Sequence, residues 1–267
     1  MSRITKLSIA ALLALTLVGA GCSQDDADST TTEAPPTTEQ ELTGEITVSA
    51  AASLTESFTT IKDEFVRENP DTTVTINFGS SGQLSTQIQE GAPVDVAAFA
   101  DEAPMSALQD ADLLTEPATV FARNEMIIVT KPGNPKGIQT LDDLETVGVV
   151  SLCAETAPCG KFADQILQTA GVEVPVSSVT RGQDVKATLA AVTEGDAEAA
   201  IVYVTDATAS GSAVSTVEIP ATDNVVASYP IAVIAAGTNQ ETAKAFADFV
   251  LGEYGQGVLR AAGFLAP

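Results

Sequence analysis

From residue 45 onward, short apolar runs alternate with segments in which large apolar residues recur every three or four positions. Leu54, Phe58, Ile61 and Phe65 have helical spacing directly after a predicted strand at 46–48. The same alternation predicts further strands and helices, with strands at 74–78, 94–100, 126–129, 147–150, 200–204 and 231–234 and helices at 161–170, 185–192 and 242–251. Repeated strand–helix units predict an α/β fold in which helices cover mostly parallel sheets. Ligands of such sheets bind at the carboxyl ends of strands, against helix N-termini.

Two serine-containing turns follow predicted strands and open predicted helices. Ser53 lies in the turn 51–54, and Ser81 lies in the turn 79–82. The first N–H groups of a helix lack partners and the helix dipole is positive there, so these serines can offer an anion both a hydroxyl and an amide. An ordinary helix N-cap is the alternative role for each serine.

The first 44 residues differ in composition from the rest of the chain. Two basic residues precede an apolar run at 7–20, which is too short to span a bilayer comfortably and leads into Cys22. This pattern resembles a bacterial lipobox and predicts a lipoprotein signal peptide over 1–22, with Cys22 acylated. An ordinary signal peptide cleaved nearby is the alternative. Residues 23–44, rich in Thr, Ser, Pro and acidic residues, predict a disordered tether.

The charge and residue composition exclude several classes of function. The chain of 267 residues has 36 acidic and 12 basic residues, a formal net charge of −24 and no histidine. The negative charge disfavours nucleic-acid binding, and the lack of histidine removes Ser-His-Asp catalysis and histidine metal sites. A Ser-Lys hydrolase needs no histidine, but no motif for it is present. We therefore expect neither an enzyme nor a cofactor.

Two cysteines follow the predicted signal peptide. Cys153 and Cys159 are separated by five residues, which does not fit the C-x-x-C redox motif. In an oxidising compartment outside the cytoplasmic membrane, the pair predicts a local disulfide.

Several ordered segments, which include these turns, resemble the molybdate-binding proteins of bacterial ABC importers, a family of periplasmic type II solute-binding proteins. The segments are 50–55, 78–84, 89–96, 158–163, 184–186 and 201–207. The resemblance implies two α/β lobes with the ligand in the cleft between them. We expect lobe 1 at 45–122 and 229–267 and lobe 2 at 123–228, with a hinge where the chain crosses near Arg123 and Tyr229.

The resemblance also implies which residues bind an oxyanion. Ser53 and Ser81 would donate hydroxyl and amide groups, Cys159 and Val185 would donate backbone amides, and Tyr203 would donate its phenol. Simple packing at a strand end is the alternative role for Tyr203. No side chain is expected to coordinate a cation directly.

Three basic residues lie near these positions in the sequence, Lys161, Arg181 and Lys186. Solvated surface charge is the favoured interpretation, and local positive potential for the anion is the alternative.

The implied function is the capture of molybdate or tungstate by a lipid-anchored, extracytoplasmic monomer that delivers it to a membrane permease. Binding of sulfate or another oxyanion is the alternative. Molybdate, tungstate and sulfate share charge and shape, so only the size of the cavity separates them.

Overall fold

The computed structural model describes residues 41–267. The predicted signal peptide, Cys22 and residues 23–40 of the predicted tether lie outside the described residues. The last predicted tether positions already belong to the fold, because Gly44 begins the first strand. The Thr43 carbonyl accepts hydrogen bonds from Asn239 Nδ2 at 2.6 Å and from Thr242 Oγ1 at 3.0 Å.

Strands and helices alternate along most of the described chain. The strands are β1 Gly44–Ala51, β2 Thr72–Gly79, β3 Val96–Ala98, β4 Thr119–Thr130, β5 Val150–Cys153, β6 Val179–Gly182, β7 Ala199–Tyr203, β8 Ser215–Glu218 and β9 Val226–Val233. The α-helices are α1 Thr55–Glu68, α2 Ser81–Gln89, α3 Glu102–Asp110, α4 Pro158–Ala170, α5 Val185–Thr193, α6 Val204–Ser210, α7 Gln240–Leu251 and α8 Glu253–Ala261. The alternation of helices and strands confirms the predicted α/β class.

The strand order is β2-β1-β3-β9-β4-β7-β5-β6, and β8 pairs with β4 beside this path. Strand β1 runs parallel to β2 and β3, and β5 runs parallel to β6 and β7. Strands β4, β8 and β9 are antiparallel to their neighbours. Two parallel groups are thus joined through antiparallel strands, which modify the mostly parallel arrangement that the sequence predicted.

Strand β4 takes part in both groups. Its first half, 119–125, pairs with β9, and its second half, 126–130, pairs with β7 and β8. Within the first half, Ala122 lies opposite Tyr229. The chain segments near Arg123 and Tyr229, where the sequence predicts crossings between lobes, therefore lie side by side on β4 and β9.

The core confirms the helical face predicted for α1. Leu54, Phe58, Ile61 and Phe65 are all buried. The rings of Phe65 and Phe246 meet edge to face at 5.3 Å, which packs α1 against α7.

Some predicted boundaries are wrong for local reasons. The strand expected at 147–150 begins only at Val150, because Gly148 has φ 117° and interrupts the extended conformation. Helix α8 was not predicted, and its glycines Gly255 and Gly257 explain the weak signal, since glycine lowers helix propensity.

Candidate ligand-binding site

All five residues predicted to bind the anion line one cleft. They are buried and come from different segments, namely Ser53, Ser81, Cys159, Val185 and Tyr203. Residues up to 150 positions apart in the chain therefore contribute to one wall.

Each of these residues lies at the N-terminal end of a helical segment. Ser81 is the first residue of α2, Val185 the first of α5 and Cys159 the second of α4, while Tyr203 is the N-cap of α6. Ser53 lies in the 3-10 turn Ala52–Leu54 that precedes α1. The first N–H groups of a helix have no intrahelical acceptor, and the helix dipole is positive at that end. The cleft therefore concentrates amide donors and positive potential.

The serine hydroxyls do not cap their own helices. Ser53 Oγ lies 2.9 Å from the Tyr229 hydroxyl, and Ser81 Oγ accepts a hydrogen bond from the Ala100 N–H at 3.0 Å. Neither the 3-10 turn nor α2 has a side-chain capping bond at its N-cap. The ordinary capping role that was the alternative for these serines is absent here.

Tyr203 is only 1% exposed, and its hydroxyl makes no well-aligned hydrogen bond among the described residues. Its ring packs edge-on against Tyr229, with the ring centres 5.9 Å apart. Burial raises the pKa of the Tyr203 phenol well above its usual value, and the neighbouring Tyr229 adds to this. Tyr203 therefore keeps its proton and remains a neutral donor.

Sequence reasoning missed Ser80. Its hydroxyl is buried, lines the cleft and has no hydrogen-bond partner among the described residues. The sequence predicts a binding role for Ser81 in the turn 79–82, but not for Ser80. The adjacent hydroxyl of Ser80 in the same turn is the signal that could have identified it.

Among the described residues, the cleft wall includes no lysine or arginine, and Asp184 is its one charged residue. Asp184 caps α5 by accepting the Ala187 N–H at 2.9 Å. An anion here would be held by neutral groups.

The three nearby basic residues, predicted to be solvated surface charges, are partly exposed and form ion pairs. Lys161 binds Asp101 at 2.7 Å. Lys186 Nζ lies 2.8 Å from Glu56 and 3.0 Å from the fully buried Asp206.

Arg181, the third of them, donates to the Cys153 carbonyl at 2.8 Å and to Asp164 at 3.2 Å. Within 41–267, none of the three lines the cleft, and neither lysine forms the serine contact that a Ser-Lys hydrolase would need.

Cys153 and Cys159 form a disulfide in the structure. It joins the end of β5 to the first turn of α4. Gly160 follows closely, and a side chain there would collide with the Ala154 carbonyl. The tight loop thereby holds the Cys159 amide at the cleft.

Residues 46–265 match the family of bacterial extracellular solute-binding proteins. The chain belongs to this family. The molybdate-binding protein ModA of Mycobacterium tuberculosis (strain H37Rv) is 37% identical over 224 residues, which cover 83% of this chain and 85% of that protein. This likeness confirms the predicted membership of the molybdate-binding protein family.

Two solved structures resemble this solute-binding protein. The substrate-binding domain of a putative molybdenum ABC transporter from Clostridium difficile is 28% identical, with a TM-score of 0.64 over 84% of this chain and 100% of that chain. The periplasmic molybdate-binding protein of Azotobacter vinelandii has a TM-score of 0.74 at 19% identity, over 83% of this chain and 99% of that one. The second likeness shows a shared fold and confirms the predicted periplasmic-binding-protein architecture.

Solute-binding proteins of this family are extracytoplasmic components of transport systems and not enzymes. None of the helices within 41–267 combines the length and apolar composition needed to cross a bilayer. In the same range, no three His, Cys, Asp or Glu side chains gather as a metal-ion site.

Proposed function

We propose that this solute-binding protein captures molybdate, and equally tungstate, and delivers it to the permease of an ABC importer. The observation that carries the proposal is the convergence of helix N-termini on a buried cleft without a basic side chain. Such a wall offers a dianion many hydrogen-bond donors and no counter-charge.

The donors we assign are side-chain and backbone groups of the five residues on the wall. Ser53 and Ser81 donate hydroxyls and amides, Cys159 and Val185 donate amides, and Tyr203 donates its phenol. Hydrogen bonds to a charged group contribute about 1.5–3 kcal/mol each, and closure and desolvation offset part of their sum. A dissociation constant between about micromolar and about ten nanomolar is consistent with this balance.

Neutral donors also support selectivity. A proton on a bound anion would face another donor, so hydrogen phosphate is disfavoured in a wall of donors. Tungstate shares the charge and tetrahedral shape of molybdate and should bind as well. Sulfate is smaller, and we propose that it cannot reach donors on both sides of the cleft at once.

Capture would involve the closure of two lobes over the anion. Lobe 1 comprises 45–122 together with 229–267, and lobe 2 comprises 123–228. The pairing of Ala122 with Tyr229 supports a hinge at the adjacent crossings, because both connections would bend at one place. The ion pairs Lys161–Asp101 and Lys186–Glu56 would then link opposite lobes. We further propose that the protein acts as a monomer anchored to the membrane by lipid on Cys22.

Native mass spectrometry of the purified protein tests the ligand. Cells would be grown with equal molybdate, tungstate and sulfate, and the mass of the anion retained by the folded protein would be measured. We expect molybdate or tungstate. Retained sulfate would support the alternative ligand instead.

A further inference from the structure

A chain of buried hydrogen bonds runs behind Ser53, away from the cleft. The Tyr229 hydroxyl lies 2.9 Å from Ser53 Oγ, and Asn124 Nδ2 donates to that same hydroxyl at 3.4 Å. Asn124 Nδ2 also donates to Thr205 Oγ1 at 2.8 Å. Ser53, Asn124, Thr205 and Tyr229 are all buried, so water does not compete for these bonds.

The orientation of the Asn124 amide is fixed by the backbone. Its Oδ1 accepts the Glu125 N–H at 3.0 Å. Turning the amide over would set its NH₂ group against that N–H, donor against donor. The NH₂ group is therefore the part of Asn124 that meets Tyr229.

This orientation makes Tyr229 an acceptor toward Asn124 and leaves its hydrogen available for another partner. Ser53 Oγ lies 2.9 Å from the Tyr229 hydroxyl in hydrogen-bond geometry, and either oxygen of this pair can be the donor. In the arrangement in which Tyr229 donates, Ser53 Oγ receives its hydrogen and keeps its own single hydroxyl hydrogen for the cleft.

Ser81 reaches the same state by a simpler route. Its Oγ accepts the Ala100 N–H at 3.0 Å, and an N–H group can only donate. Both serine hydroxyls are thus supplied with a donor from behind, and each is left as a donor toward the cleft.

We propose that Asn124 and Tyr229 are positioning residues that commit the Ser53 hydroxyl to donation and so make the cleft specific for fully deprotonated oxyanions. The inference rests on the proposed function, because it assigns Ser53 to the bound anion. A serine hydroxyl free to rotate could accept the proton of hydrogen phosphate. With one lone pair engaged by Tyr229 and its hydrogen directed to the cleft, it presents a donor where that proton would lie.

A double-mutant cycle on molybdate affinity tests the positioning role. Tyr229→Phe keeps the ring and removes the hydrogen donated to Ser53. We expect it to weaken molybdate binding about five- to tenfold in the wild-type background and less than twofold in a Ser53→Ala background. Tyr254→Phe is the matched control, since Tyr254 is partly exposed, packs on Phe249 and lies outside the cleft. It should change nothing.

Competition with excess inorganic phosphate tests the specificity. In the wild type, phosphate should leave the apparent dissociation constant for molybdate unchanged. In Tyr229→Phe, phosphate should raise that constant at least severalfold. Asn124→Asp is a second variant of the same shape. Its carboxylate would take the Tyr229 hydrogen and reverse the chain, so it should show the same phosphate competition.

The outcomes separate this inference from the proposed function. Equal losses with and without the Ser53 hydroxyl, or variants that still exclude phosphate, would overturn the positioning role while molybdate binding by the wild type stood. If the wild type bound sulfate rather than molybdate, the proposed ligand would be wrong, and the same cycle run with sulfate would decide the positioning role. A wild type that bound no tetrahedral dianion would overturn both.

Discussion

Ser81 Oγ accepts the Ala100 amide hydrogen at 3.0 Å, across 19 residues of sequence. Because the Ala100 N–H engages the hydroxyl oxygen and cannot accept, the single hydroxyl hydrogen of Ser81 is available to the cleft. The bond also ties the start of α2 to the segment that follows β3.

Replacing Ser81 by alanine should therefore have two effects. Molybdate binding should weaken by about 1.5–3 kcal/mol, which is roughly tenfold or more in the dissociation constant. The buried Ala100 N–H would lose its acceptor, so the free energy of unfolding should also fall, by about 1–3 kcal/mol. Isothermal titration calorimetry and urea unfolding measure the two effects separately.

Ser85→Ala is the matched control on the same helix. Ser85 is buried and donates to the Pro104 carbonyl at 2.8 Å, but it does not line the cleft. The Ser85→Ala variant should be less stable than the wild type and should bind molybdate with unchanged affinity. If Ser81→Ala bound molybdate as tightly as this control, the assigned role of Ser81 would be wrong.

Removing the disulfide should separate stability from binding. The double variant Cys153→Ala/Cys159→Ala should lose about 2 kcal/mol of unfolding free energy, the chain-entropy value for so short a loop. Its affinity for molybdate should change less than threefold, because position 159 is assigned only a backbone amide. Thermal unfolding and calorimetry check both values, and a large loss of affinity in a well-folded variant would show that the sulfur or the loop geometry matters for binding.

Asp206 should make stability depend on pH. Burial raises its pKa from 3.8 to about 6, although the Lys186 ammonium opposes this. The folded protein then holds this proton more tightly than the unfolded chain between about pH 4 and about pH 6. Its contribution to the unfolding free energy should decrease by about 3 kcal/mol as the pH rises through that window.

Asp206→Asn should lack this decrease. The difference in unfolding free energy between wild type and variant isolates the contribution of this one carboxyl group. As the pH rises from about 4 to about 7, the wild type should lose stability relative to the variant. Asp63→Asn, at a largely exposed position, serves as the control. A difference that stayed constant with pH would contradict the raised pKa.

The ion pair between Lys161 and Asp101 should favour the closed cleft. Lys161→Gln is expected to raise the dissociation constant for molybdate about two- to fivefold, since the lysine is half exposed and such pairs contribute about 0.2–1 kcal/mol. Lys244→Gln removes a pair at 2.8 Å within α7 and should leave affinity unchanged. Equal calorimetric results for the two variants would argue against a link between lobes.

The sequence predicted the local structure around the two serines. Small-residue turns after apolar strands are typical of helix N-termini, so the pattern alone predicted that Ser53 and Ser81 lie where helical segments begin. The groups behind them could not be predicted in this way. Tyr229 lies 176 residues from Ser53, and no local periodicity reports such a distance.

Strand β4 shows the same limit within the fold. Its residues Arg123, Asn124 and Glu125 are polar and interrupt the apolar pattern, so only 126–129 were predicted as strand. Asn124 is nevertheless buried, because Tyr229 and Thr205 accept its hydrogens. A buried polar network of this kind depends on tertiary pairing, which propensity does not encode.

Calorimetric titration of the anion-stripped wild-type protein with molybdate, tungstate, sulfate and phosphate shows directly which oxyanion the protein binds. Molybdate and tungstate should bind with dissociation constants between about micromolar and about ten nanomolar. Sulfate and phosphate should bind far more weakly, sulfate because it is smaller and phosphate because it carries a proton into a wall of donors. Sulfate binding as tight as that of molybdate, or the absence of binding by all four anions, would contradict the account.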